Sequence, residues 1–153
     1  MARAYIGLGA NLGDREGTIR AALELLAAHD AIEVAGVSSL RETDPVDYLD
    51  QPRFVNAAAA LDTELGPRPL LDAMLEVERR LGRVRGAGPR FGPRPIDLDL
   101  LLYGDAVVAE PGLVVPHPRL HERRFALEPL AELEPGLVVP GRGPVELLVA
   151  ALH

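Results

Sequence analysis

The 153-residue chain contains no cysteine. That one absence excludes disulfides, thiolate metal sites and cysteine nucleophiles. Lysine is missing as well, since all 16 basic residues are arginine. A Walker A lysine, Schiff-base chemistry and any lysine general base are therefore excluded. No apolar run reaches the length of a membrane span, and the opening "MARAYIGLGANLGD" lacks the long apolar stretch of a secretory leader. A soluble cytoplasmic protein with no membrane partner is expected. Positive charge is in deficit, at a net −7. Sequence-independent nucleic-acid binding runs on an excess of positive charge, so no nucleic-acid partner is expected.

What is present is an ordinary globular balance, 48% hydrophobic and 25% charged. This length suits a single domain over 1–153, able to bury roughly 70% of the surface its unfolded chain exposes. No internal repeat or linker interrupts it. The arginines are clustered: Arg79, Arg80, Arg83, Arg85, Arg90 and Arg94 crowd into one stretch, and Arg119, Arg123 and Arg124 form a second group.

"AYIGLGANLG" reads as a short buried strand ending in a glycine-flanked turn, and Asp14 as the N-cap of a helix with Ile19, Leu23 and Leu26 on one face. "AIEVAGVSSL" alternates as a second strand, and "RETDPVDYLDQPRF", with two prolines and no hydrophobic period, reads as a loop. "FVNAAAALDT" is assigned to a strand although its alanines favour helix, because a clear helix follows it. That helix is "GPRPLLDAMLEVERRLG", with proline in its first turn and Gly82 at its end. "RVRGAGPRFGPRP" is a long connection, and connections of that length inside a compact domain are usually functional. "IDLDLLLYGDAVV" reads as a strand and a Gly-Asp turn into another strand, and the tail supplies two short helices. The mixture predicts α+β or a three-layer α/β sandwich.

Alternation along a strand puts Asp97 and Asp99 on one face, roughly 7 Å apart, with Ile96, Leu98 and Leu100 facing the core. Like charges so placed repel unless a cation lies between them. Magnesium is the natural candidate, taking one or two carboxylates and filling its shell with water and phosphate oxygens. The plainer reading is a solvated strand face. Against it, aspartate is disfavoured in strands, and Leu101 and Tyr103 are expected on the same face. The preceding loop carries Arg83, Arg85, Arg90 and Arg94, whose planar guanidinium groups suit phosphate oxygens. Acidic strand and basic loop together suggest a triphosphate cradle that closes over its ligand, and the alternative is a solvated basic loop. His117 and His121 in "VPHPRLHERRF" read first as local hydrogen-bonding residues. Phe54 and Phe125 read first as core, with stacking on a planar ligand the minority reading. The glycines of "GLGANLG" are a weak nucleotide-loop signal and are assigned to a turn.

"RFGPRPIDLDLL" resembles the signature of the 6-hydroxymethyl-7,8-dihydropterin pyrophosphokinase family of folate biosynthesis. "YIGLGANLGD", "TDPVDYLDQPRFVNAA" and "VPHPRLHERRFALEPL" are similar to further family segments in the right order, so the resemblance spans nearly the whole chain. It implies a ferredoxin-like three-layer sandwich with a mainly antiparallel sheet and helices on both sides. It implies ATP and 6-hydroxymethyl-7,8-dihydropterin as substrates and two magnesium ions on Asp97 and Asp99; a monomer is expected, although no residue in the sequence speaks to oligomeric state. Arg83 and Arg94 would stabilise charge during transfer, and Glu78, Arg85, Phe91, Leu100, His117 and Arg123 would contact the nucleotide. On the pterin side, Asn56 would bond the ring, Phe54 and Phe125 would sandwich it, and Thr43, Asp44 and Val46 would line its polar edge. The chain departs from common family patterns at Asp44, Phe54, Gly112 and Val114. Two other classes compete: a magnesium-dependent phosphoryl or nucleotidyl transferase with a different acceptor, and a non-catalytic ferredoxin-like ligand sensor. The first would make AMP without regard to pterin. The second would be expected to interrupt the acidic pair, which is intact here.

Overall fold

The structure is a computed structural model and describes residues 1–45, 48–83 and 95–152. Its centre is an antiparallel sheet built on β1 (Ala2–Ala10) and β4 (Phe54–Thr63). Their outer neighbours are β2 (Ile32–Val37), which pairs with β4, and β5 (Asp97–Tyr103), which pairs with β1. The order is therefore β2–β4–β1–β5, with the short β3 (Arg41–Thr43) also on β4.

Both faces of this sheet are covered, which explains how an alanine run becomes a strand. Ala59 and Leu61 pack with Ile19 and Leu26 of α1 (Arg15–Ala27) and Leu70 and Met74 of α2 (Pro67–Arg80). The alternate residues Ala58 and Ala60 pack with Leu127 and Leu130 of α3 (Arg124–Leu133). Small side chains let helices close in from both sides, and that tertiary demand overrides alanine's helix preference. The three-layer sandwich expected from the sequence is the one observed.

The local signals read from the sequence act as expected at the helix ends. Asp14 caps α1, its carboxylate accepting from Gly17 N at 3.1 Å. Pro67 opens α2, and Gly82 closes it at φ +91°. Gly82 N donates to Arg79 O and Arg83 N to Glu78 O, a Schellman closure that turns Arg83 back toward the sheet.

Four local expectations need correction. The glycines of "GLGANLG" are not only a turn, because β1 is nine residues long and includes Gly7 and Gly9. The supposed loop after Leu40 contains β3. The strand after the Gly-Asp turn exists as β6 (Val108–Glu110) but pairs with β7 (Leu113–Val115) rather than with β5. Finally, β5 changes phase. Leu102 pairs with Tyr5 and Leu100 with Ile6, so Leu101 is a bulge residue without a cross-strand partner on β1. Leu101 lies in the α3-side core as expected, whereas Tyr103 packs with the α1/α2 side, opposite the aspartates. Past α3 the chain forms the small β8–β9 pair (Val138–Val139, Gly143–Pro144) and α4 (Val145–Ala150), whose Val145 completes the α3-side core.

Candidate active site

Cross-strand register builds the site. Gly9 of β1 pairs with Asn56 on one side and Asp97 on the other, while Gly7 pairs with Ala58 and Asp99. Leu98 and Leu100 point into the α1/α2-side core, so Asp97 and Asp99 share the α3-side face. Asn56, in step with Ala58 and Ala60, lies on that face too. Asn56 and Asp97 thus stand on one line across the sheet, two strand spacings or about 10 Å apart, with a side-chain-free residue between them. A Cβ placed on Gly9 would sit 2.7 Å from Asn56 Oδ1. The position has to be glycine for Asn56 to lie where it does.

At the acidic end each aspartate meets an arginine. The Schellman turn delivers Arg83, whose Nη1 donates to Ile96 O and to Asp97 Oδ1, both at 3.1 Å. Arg123, at the N-cap of α3, holds its Nη1 3.8 Å from Asp99 Oδ2 and lies 5.6 Å from the centre of the Phe125 ring. Both carboxylates keep a partly exposed edge, 23% for Asp97 and 30% for Asp99. Among the described residues no group of three or more histidine and acidic side chains could enclose a metal. Two half-exposed carboxylates on one face still fit a hard dication, which at such a site draws its remaining oxygens from water or phosphate.

Glu78 supports this end from beneath. It is 2% exposed, and its Oε2 accepts from Leu98 N, between the two aspartates, at 2.7 Å. The bulge adds a second support, because Leu101 O accepts from His117 N at 2.9 Å. His117 Nδ1 accepts from Arg119 N at 3.2 Å, so the neutral ring carries its proton on Nε2. Burial first, and the charge of Arg123 second, push the imidazole down to about 4. At neutral pH His117 is therefore an uncharged donor beside the acidic pair.

The other end is a hydrogen-bonded slot. Asn56 Nδ2 donates to Thr43 Oγ1 on β3, and Phe54 shares their face two residues along β4. Asn11, 2% exposed at the end of β1, donates to Gln51 Oε1 (2.8 Å) and Pro52 O (3.0 Å), tying the segment before β4 to the central strand. Phe125 is part-buried against the α3-side core at that helix's first turn.

Of the residues singled out in the sequence, the fold places Asp97, Asp99, Asn56, Thr43, Phe54, Phe125, Arg83, Arg123 and His117 at or beside this face. Val46, Arg85, Phe91 and Arg94 lie outside the described residues. Two assignments change character. Leu100 is 5% exposed in the α1/α2-side core, so its side chain cannot meet a ligand on the carboxylate face. Glu78 is buried, with its Oε2 held to the backbone of β5. Asp44 sits on the outer surface, its Oδ1 3.0 Å from Arg53 Nε. Gly112, at φ +74°, makes the β6–β7 turn, which explains glycine at that departure from the family pattern. Sequence reasoning missed Gly9, Asn11 and Gln51. The glycine pattern was the available signal for Gly9, but its meaning depends on register.

Residues 5–135 match the family model described as 7,8-dihydro-6-hydroxymethylpterin-pyrophosphokinase (HPPK). The 2-amino-4-hydroxy-6-hydroxymethyldihydropteridine pyrophosphokinase of Bacillus subtilis is 49% identical over 130 residues, covering 85% of this chain and 77% of its own. The Pseudomonas aeruginosa protein of the same name is 46% identical over 149 residues, covering 97% and 91%. A crystal structure of Plasmodium falciparum HPPK-DHPS superposes with a TM-score of 0.77 at 13% identity. It covers 97% of this chain, which spans only 45% of that longer one, and at such identity it speaks to the fold alone. With a matching family model over most of its length and close relatives of one name, the chain belongs to the 7,8-dihydro-6-hydroxymethylpterin-pyrophosphokinase family.

Proposed function

We propose that this protein transfers the intact diphosphate of ATP to the hydroxymethyl group of 6-hydroxymethyl-7,8-dihydropterin and releases AMP. The observation that carries the reading is the Asn56–Gly9–Asp97 line: an amide that can read a ring edge, a residue with no side chain, and a carboxylate pair suited to metal-bound phosphates.

In this reading the pterin ring lies over Gly9 with its polar edge at Asn56 and Thr43, held between Phe54 and Phe125. Its hydroxymethyl group then points along the line toward Asp97. The hydroxyl oxygen attacks the β-phosphorus of ATP, the bond from that phosphorus to the α–β bridging oxygen breaks, and AMP leaves with that oxygen. The hydroxyl proton goes to solvent, since no described residue is placed as a general base. Asp97 and Asp99 would hold two magnesium ions, which supply charge neutralisation across the phosphates when bound. Arg83 and Arg123, already positioned beside the aspartates, supply donors to the phosphate oxygens. His117 offers its Nε2–H without adding charge. Arg94, Arg85 and Phe91 are assigned to the nucleotide on the resemblance of their segment. Catalysis on this scheme is positioning and electrostatics, the usual pattern for phosphoryl transfer. The protein is proposed to act as a monomer.

The test is incubation with magnesium, ATP and the pterin, following AMP by chromatography. AMP and pterin diphosphate should form together and only when the pterin is present. AMP formation indifferent to the pterin would assign a different acceptor, and no turnover by folded protein would overturn the reading.

A further inference from the structure

β2 and β3 are one strand broken at Ser38–Leu40, and the break is built rather than loose. Ser38, 4% exposed, donates its N–H to Ala58 O while its hydroxyl accepts from Ala58 N, both at 2.9 Å. The hydroxyl so replaces a backbone carbonyl in the ladder. Beyond it β3 has only three ladder residues on β4, a strand too short to fix itself. Its third residue is Thr43, the partner of Asn56.

What fixes the break from outside is Glu132 near the C-terminal end of α3. Its carboxylate accepts from Ser39 N (2.6 Å), Ser39 Oγ (2.7 Å) and Arg41 Nη2 (2.8 Å). Arg41 also reaches Glu128, one turn earlier on α3, at 3.7 Å. Arg41 is the direct cross-strand neighbour of Asn56. The same helix therefore carries Phe125 in its first turn and, through Glu132, sets the position of the strand that bears Thr43.

We propose that Glu132 is a positioning residue for the pterin slot, holding β3 so that Thr43 and Asn56 keep their spacing under the ring. This rests on the slot assignment made above. It acts at a distance, through Ser39 and Arg41, and should govern pterin affinity while leaving the nucleotide end untouched.

The experiment uses the full chain with Glu132→Ala, Glu132→Gln and a control, Arg3→Ala. Arg3 pairs with Asp62 at 2.7 Å at the far end of β4, about 20 Å from Asn56 along the strand. Its loss removes a comparable exposed ion pair that makes no direct contact with β3, although Arg3 also bonds Tyr5, whose hydroxyl donates to Glu134 at the end of α3. Pterin is titrated into protein saturated with magnesium and a non-hydrolysable ATP analogue, and the analogue is titrated separately. Glu132→Ala should raise the pterin Kd about tenfold, within the cost of misplacing a positioning group, with the analogue Kd unchanged. Glu132→Gln, which keeps an acceptor oxygen, should recover part of that loss, and Arg3→Ala should shift neither. Equal weakening of both ligands, or no change in pterin binding by a folded Glu132→Ala protein, would overturn the proposal. Wild-type protein that binds the analogue but no pterin would instead remove the pterin assignment itself, and this inference with it.

Discussion

Asn56 and Asp97 stand opposite the same residue, Gly9, from the two strands that flank it. The ring-reading end and the phosphate-holding end of the site are therefore fixed by one strand register. Neither depends on a loop for its spacing. A shift of either ladder by one residue would turn one group to the other face.

The first consequence concerns Gly9. In Gly9→Ala the new methyl meets Asn56 Oδ1 at 2.7 Å, and the amide must move to accommodate it. Misplacement of a positioning group by such amounts costs up to about 10²-fold. Steady-state kinetics should show a raised pterin KM and a lower kcat, with the ATP KM close to wild type. Unchanged pterin kinetics would show that the ring does not lie over this strand.

Asp97→Ala and Asp99→Ala should each abolish turnover, a loss of about 10³-fold or more if metal-held charge is worth several kcal/mol. Their circular dichroism should match wild type, since both side chains face out of the core. Near-normal activity in either would remove it from the metal site.

Glu78 separates support from contact. Glu78→Ala leaves Leu98 N without the carboxylate it donates to and should cost about 1–3 kcal/mol in urea unfolding, with a further loss for the cavity. Glu78→Gln retains an acceptor and should be much milder. Equal stability of Glu78→Ala and wild type, together with weaker nucleotide binding, would return Glu78 to a direct ligand role.

Glu132 gives a pH dependence of definite sign. Hydrogen bonds from the Ser39 hydroxyl, then Arg41, then the Ser39 backbone lower its carboxyl from 4.5 to about 2. The folded state therefore favours the ionised form. The stabilisation is complete above pH 4.5 and fades as pH falls toward 2. The melting-temperature gap between wild type and Glu132→Gln should be constant near neutrality and close across that acidic window. A gap that does not vary with pH would place the effect in packing.

The sequence carried those features that local chemistry decides. The Asp14 cap, the Pro67 start and Gly82 end of α2, and the alternation placing Asp97 with Asp99 all depend on near neighbours in the chain. Arg83 was legible as a loop arginine, but its approach to Asp97 needs the Schellman turn and the strand to meet. What remained hidden depends on pairing between distant strands. Gly9 looks like one glycine among several until Asn56 is set beside it. The bulge at Leu101 inverts Tyr103 and docks His117, and nothing in "DLDLLLY" marks it. Asn11 and Gln51 are joined across 40 residues, so neither reads as special alone.

The most direct measurement is a crystal structure of the protein with magnesium, a non-hydrolysable ATP analogue and 6-hydroxymethyl-7,8-dihydropterin. The expected result is the ring over Gly9 with its polar edge at Asn56, metal on both Asp97 and Asp99, and the hydroxymethyl oxygen facing the β-phosphorus. A ring bound away from the Asn56–Gly9–Asp97 line, or metal held without these two aspartates, would contradict it.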